Sequence, residues 1–167
     1  MGVLRTQGEY ALIACTPIAA GTLIFTIEGT LTDTPSRHSV QVGRHVHVDV
    51  SDDVGQEQLL DAYPWRFMNH SCEPSARIEG RRVFAMTDIL RGQEVTFHYN
   101  TTEAVMASPF DCSCGSGSCE GRIAGFTTAA PTHRKRLLLR LAEHLALAYP
   151  AVAADFEDIA DPDMTRQ

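Results

Sequence analysis

The sequence predicts a mainly β domain with a few short helices. Short stretches rich in β-branched and aromatic residues fill its first hundred positions, and Gly, Pro and Asp turns separate them. Only one long segment repeats its apolar residues at helical spacing, and it lies near the C-terminus. A chain of 167 residues with 44% hydrophobic content suits one domain with a real core.

Val3-Leu4-Arg5 opens the first extended segment. Met1-Gly2 with Thr6 fits a myristoylation pattern only nominally, and the strand reading is preferred. "YALIAC", "GTLIFTIEG", "RHVHVDV", "RRVFAM" and "EVTFHYN" follow as strands. In "RHVHVDV" the alternation puts His45, His47 and Asp49 on one face, read as a wet polar face rather than a metal site. "SDDVGQEQLLDAY" offers a short helix capped by Ser51, with Gly55 weakening it. Thr132 is placed to cap "HRKRLLLRLAEHLALAY", where Leu137, Leu141 and Leu145 form one apolar stripe and Pro150 follows the end. Beyond Ala151 an acidic, Pro-broken tail is expected to be loosely held.

A formal charge of −7 opposes non-specific nucleic-acid binding, which depends on cationic side chains displacing counterions, and favours a basic partner. No direct nucleic-acid binding is expected. No apolar run approaches the length of a membrane span and no secretory signal opens the chain, so no membrane association and a cytoplasmic location are expected.

The cysteines carry the strongest chemical signal. Cys112, Cys114 and Cys119 make a C-x-C-x4-C cluster, and Gly115 and Gly117 let the backbone fold tightly around a metal. Structural zinc takes four ligands, and either Cys15 or Cys72 could supply the last; the surroundings of Cys72, in "NHSCEPS", favour it. A reducing compartment disfavours disulfides, and C-x-C is a poor spacing for one.

Taken in order, "RFMNHSCEPSARI", "GQEVTFHYN" and "FDCSCGSGSCEGRI" resemble the SET domain of protein lysine methyltransferases: its asparagine–histidine motif, its terminal tyrosine motif and its post-SET zinc segment. The earlier "LIACTPIAAGTLIFTIEG" is similar to the family's opening strands, so the likeness runs over roughly residues 3 to 125. It implies a β-clip-like fold with a threaded C-terminal segment, divided as a SET domain over 1–109, a post-SET zinc segment over 110–125, and a C-terminal helix and acidic tail over 126–167.

The same resemblance implies S-adenosylmethionine as cofactor, held by Tyr10, Asn69, His70 and Phe110, with the backbone of His70 at the adenine and its side chain satisfied in the core. It implies Tyr99 as the catalytic residue and Cys72, Cys112, Cys114 and Cys119 as ligands of a structural zinc that ties two motifs together. Methyl transfer requires in-line attack by a neutral amine on a sulfonium methyl group, so a narrow apolar channel that desolvates the amine is expected. Phe97 either lines that channel or packs in the core.

Three positions depart from the family pattern. Glu9-Tyr10-Ala11 stands where Gly-x-Gly is usual, Ser75 where Asn follows the proline, and His98 where Asp precedes the tyrosine, whereas Glu94 fits the usual carboxylate. The leading expectation is a protein-lysine methyltransferase acting on a basic, lysine-containing segment. Methylation of a small molecule or another acceptor, and a zinc-stabilised binding module without turnover, are the alternatives.

Overall fold

The computed structural model describes residues 1–6 and 8–150. The expected acidic tail lies outside the described residues. Among the described residues ten short strands form four small antiparallel sheets of two or three strands each. A hairpin pairs β1 (Gly2–Thr6) with β2 (Glu9–Ile13), turning at Gly8 with φ of 92°. Such a φ suits a residue without a Cβ.

The second sheet has the order β3-β8-β7, built from Leu23–Thr26, Arg82–Ala85 and Ala76–Glu79. The third, β4-β6-β5, joins Thr30–Thr32, Val46–Asp49 and Val40–Gly43. Between them Gly29 passes so close to the backbone that a Cβ would lie 2.5 Å from the Asp49 carbonyl oxygen, and its φ of 157° adds to the strain on any larger residue. The inward faces meet in one core: Leu12, Ile27, Val48, Val83 and Val95 are fully buried, with Trp65 and Phe97 nearly so. Trp65 keeps its indole N–H satisfied by the Glu28 carbonyl at 2.9 Å.

Strand expectations hold for four of the five segments, though β3 is shorter than "GTLIFTIEG". "EVTFHYN" is extended but is not a strand of any sheet. Its hydrogen bonds go to successive partners: Val95 N–H to Leu12, Thr96 C=O from Ala76, and Phe97 N–H to Asn69. A segment threaded past three neighbours completes a ladder with none of them, although Val95 and Phe97 are buried as a strand pattern would have them. After Phe97 the chain tightens into a 3₁₀ turn at Tyr99–Thr101.

The first helix, α1 (Gln56–Ala62), forms as expected, but Gly55 occupies its N-cap. Ser51 instead closes the preceding turn, its hydroxyl accepting from Asp53 N–H at 3.3 Å. The long C-terminal helix is broken in three: α2 (Pro131–Leu137), a 3₁₀ turn at Leu138–Arg140, and α3 (Glu143–Ala148). Pro131, not Thr132, sets the start, with Ala130 at the N-cap. The break has a tertiary cause. Ala142 N–H, which a continuous helix would aim at Leu138, bonds instead to the Thr101 carbonyl at 2.9 Å. The apolar stripe survives the break, since Leu137 and Leu145 are buried against Phe126 and Leu141 packs beside them.

The histidine strand also differs from expectation. His47 is buried rather than wet, and its Nε2 lies 3.6 Å from Glu103. His45 is exposed and precedes β6.

Candidate functional site

The stem β9–β10, Phe110–Asp111 paired with Arg122–Ile123, closes the loop that carries three cysteines. Gly115 and Gly121, both at φ of 72°, turn the chain within it. Cys72 enters from the threaded region. Its sulfur lies 4.0 Å from that of Cys112, and the four sulfurs of Cys72, Cys112, Cys114 and Cys119 all fall within 4.8 Å of one another. Zinc–sulfur bonds of about 2.3 Å give a tetrahedron with edges of about 3.8 Å, so the four sulfurs fit such an ion with little adjustment. Cys15 is exposed beside Gly2 at the hairpin and takes no part. Glu120 N–H points at the Cys72 sulfur at 3.3 Å, the kind of contact that stabilises a ligating thiolate. Burial raises the Cys72 thiol above its usual range and the Cys112 thiol to about 11, which opposes the free thiolates but not metal-bound ones.

His70 links this cluster to Tyr99. Its Nδ1 accepts the Tyr99 backbone N–H at 3.2 Å, which leaves the proton on Nε2, 3.3 Å from the Cys72 sulfur. Burial, then the neighbouring His98, pushes His70 down to about 3, so the imidazole is neutral. The side chain is therefore satisfied internally. The backbone is not: the flanking Asn69 carbonyl and Ser71 N–H bond to Phe97, while the N–H and C=O of His70 make no hydrogen bond among the described residues. A free donor and acceptor on one residue match the edge of a purine.

Asn69 is fixed by its amide, which donates to the Tyr10 carbonyl at 3.0 Å and to Glu94 at 2.7 Å. Tyr10 thus reaches the site through its backbone. Its ring packs on Phe67 at 5.2 Å and its hydroxyl meets the Gln56 amide, so the side chain is engaged on α1. Glu9 is exposed at the start of β2, and Leu4 pairs with Ala11 in regular register. The departure from Gly-x-Gly leaves an ordinary hairpin. Phe110 presents its ring edge-on to His70 at 5.6 Å and to Tyr99 at 5.9 Å.

Tyr99 donates its hydroxyl to the Met68 carbonyl at 2.9 Å, and Phe97 lies against its ring at 4.7 Å. Burial, reinforced by Glu94, raises the phenol above its usual range, so it remains protonated. Tyr99 and Phe97 also line a cavity of about 50 Å³, walled by Trp65, Met68 and Glu103 and lipped by residues 36–39 and 106–108. At about 10–15 Å³ per water it holds roughly three to five, or a slender aliphatic chain. Tyr99 therefore stands between this cavity and the His70–Phe110 cluster.

His98 is the member that the sequence left without a role. It is 1% exposed and faces Glu120 at 3.2 Å, while Asn100 donates to the other oxygen of that carboxylate at 3.0 Å. Hydrogen bonding and His98 keep Glu120 below its usual range despite burial, which acts the other way. The departure from Asp at this position is thus matched by a carboxylate on the cysteine loop. No motif spacing signals a pair 22 residues apart; only the hairpin geometry does.

The SET domain family model matches residues 9–100. A histone-lysine N-methyltransferase, H3 lysine-36 specific, from Cryptococcus neoformans var. neoformans serotype D is 30% identical over 143 residues, covering 75% of this chain and 17% of that protein. The histone-lysine N-methyltransferase ASHH2 of Arabidopsis thaliana is 44% identical over 68 residues, 36% of this chain and 4% of that protein. The chain therefore spans under a fifth of the length of these relatives. Among solved structures, KRYPTONITE in complex with mCHG DNA and SAH superposes with a TM-score of 0.54 at 22% identity, covering 72% of this chain and 28% of that one. That likeness is one of fold. With its matched span containing the asparagine–histidine and tyrosine segments described above, the chain belongs to the SET-domain family.

Proposed function

We infer that this chain is an S-adenosylmethionine-dependent protein-lysine N-methyltransferase. The carrying observation is the position of Tyr99, its hydroxyl held on Met68, between an aromatic-walled cavity and the unspent backbone groups of His70. S-adenosylmethionine, when bound, supplies a methyl group on a positively charged sulfur. Asn69, His70 and Phe110 would hold it, with Tyr10 contributing its backbone and Cys72, Cys112, Cys114 and Cys119 a structural zinc. His70 would offer its N–H and C=O to the purine edge, with the Phe110 ring beside it as an apolar wall.

The acceptor amine would enter the cavity past Trp65 and Phe97 and release its proton to water before transfer, because only the neutral amine can attack. The Tyr99 hydroxyl, protonated and held on the Met68 carbonyl, would accept an amine N–H on its oxygen and so orient the nitrogen lone pair for attack. No proton need leave the phenol. The relatives named for histone lysines, and the net charge of −7, favour a basic protein segment as acceptor. A histone acceptor would place the protein in the nucleus rather than the cytoplasm. Among the described residues no helix is long and apolar enough to cross a membrane.

The reading is tested by titrating S-adenosylmethionine into native protein and Asn69→Ala, and by mass spectrometry of core histones incubated with both. Micromolar binding, about −8 kcal/mol, that Asn69→Ala weakens, with methyllysine formed, is expected. Binding without methyllysine on any protein acceptor would favour a small-molecule acceptor, and no binding a zinc-stabilised binding module.

A further inference from the structure

The cavity beside Tyr99 has one anionic wall residue, Glu103, which lies beyond the span matched by the family model. The side chain is 10% exposed and its two oxygens are unequally used. Oε1 accepts from Gln41 N–H at 2.7 Å and faces the Thr102 hydroxyl at 3.4 Å. Among the described residues Oε2 has only a long contact, 3.6 Å, with His47 Nε2, and His47 Nδ1 has no partner. Gln41 returns a bond to Ala104 N–H at 2.8 Å, so the carboxylate is pinned from both sides in sequence. One of its oxygens retains acceptor capacity at the wall of a half-open cavity. A buried carboxylate with an unspent oxygen is costly unless it meets a cation or donor.

The other charged groups around the cavity do not supply one. Arg66 is turned to Asp49 at 3.6 Å and to the Val50 carbonyl at 3.0 Å. Arg37 is exposed at the lip. His38, exposed at the lip, is held below its usual range by partial desolvation and then by Arg66. Behind Glu103, His144 is likewise depressed by burial and spends its Nε2 on the Thr102 carbonyl at 2.8 Å. Among the described residues the cavity thus has Arg37 at its lip and one carboxylate, Glu103, in its wall.

We propose that Glu103 is the specificity-determining group of the acceptor cavity, docking a primary or methylated ammonium and rejecting neutral chains of the same shape. The pairing is charge-assisted, and such hydrogen bonds are about twice as strong as neutral ones. The side chain follows Tyr99 by one turn, with Glu103 N–H bonded to the Tyr99 carbonyl at 3.0 Å, so a docked amine is presented next to the tyrosine ring. The proposal deepens the methyltransferase reading and rests on it for the identity of the amine, but binding can be measured without turnover.

Trp65, the sole tryptophan, lines the same cavity and reports occupancy by its fluorescence. Titrating native protein with n-butylammonium chloride and with 1-butanol, sodium chloride matching the ionic strength, should show at least tenfold tighter binding of the cation. Glu103→Gln keeps an acceptor for Gln41 N–H and fits the same space; it should abolish that preference and leave 1-butanol unchanged. Equal affinities in the native protein overturn the proposal whatever the variant does, as does a preference that survives Glu103→Gln. Once a lysine acceptor is in hand, Glu103→Gln should raise its KM at least tenfold and lower kcat by no more than about threefold. A cation preference without methyl transfer would sink the enzyme reading alone; methyl transfer without the preference would sink this proposal alone.

Discussion

Replacing Asn100 by alanine tests the anchorage that joins the tyrosine segment to the chain beyond the cysteine loop. The side chain is fully buried, donates to Glu120 at 3.0 Å and accepts Gly125 N–H at 2.9 Å. Alanine leaves both partners in place without an exit to water. An orphaned buried group costs about 1–3 kcal/mol, and more when charged, so the expected loss is about 3–5 kcal/mol. Gly125 cannot easily shift to compensate: its φ is 111°, and a Cβ there would lie 2.6 Å from the Ala104 carbonyl oxygen, which shows how tightly the backbones approach. Just beyond it Phe126 is fully buried and donates its N–H to the Glu103 backbone carbonyl at 2.8 Å. A domain of this size has about 5–15 kcal/mol in total, so the variant should unfold at markedly lower urea. Urea denaturation with excess zinc, followed by circular dichroism, measures the difference. Asn100→Asp keeps the acceptor for Gly125 but sets a second carboxylate against Glu120, and should be at least as damaging near pH 7. A loss under about 1 kcal/mol for Asn100→Ala, with the slope of the transition unchanged, would refute the reasoning.

Zinc analysis should find one ion per chain, lost on Cys→Ser at Cys72, Cys112, Cys114 or Cys119 and retained in Cys15→Ser; full occupancy in Cys72→Ser would break the link between the two motifs. Tyr99→Phe should lower turnover on a lysine acceptor at least tenfold, or change the number of methyl groups added, with cofactor affinity nearly unchanged, as steady-state kinetics and calorimetry would show. His144 is depressed below its usual pKa, chiefly by burial, so the folded state resists a proton that the unfolded chain accepts. Its contribution is full above about pH 6.5 and is lost as pH falls toward the folded value; His144→Gln should flatten that part of a melting-temperature profile, and an unchanged acid limb would count against it.

The strands, α1 and the cysteine loop could be read from the chain because the signals are local. Alternation in "RRVFAM" and "YALIAC" fixes which side chains face inward whatever sheet forms, and C-x-C-x4-C with its glycines declares a tight loop of thiols. Cys72 was within reach because its neighbours form a recognisable motif. What tertiary structure alone decided are pairings across long separations. "EVTFHYN" has a strand's alternation, yet its partners change every residue or two, so no ladder forms. The C-terminal helix has unbroken periodicity, but the Thr101 carbonyl captures Ala142 N–H and bends it. His47 alternates like a surface residue and is buried because Glu103, 56 positions on, comes to meet it. His98 finds Glu120 for the same reason. A side chain's period depends on its own backbone, whereas a buried charge is tolerable only where another segment brings a partner, and that is set by the fold as a whole.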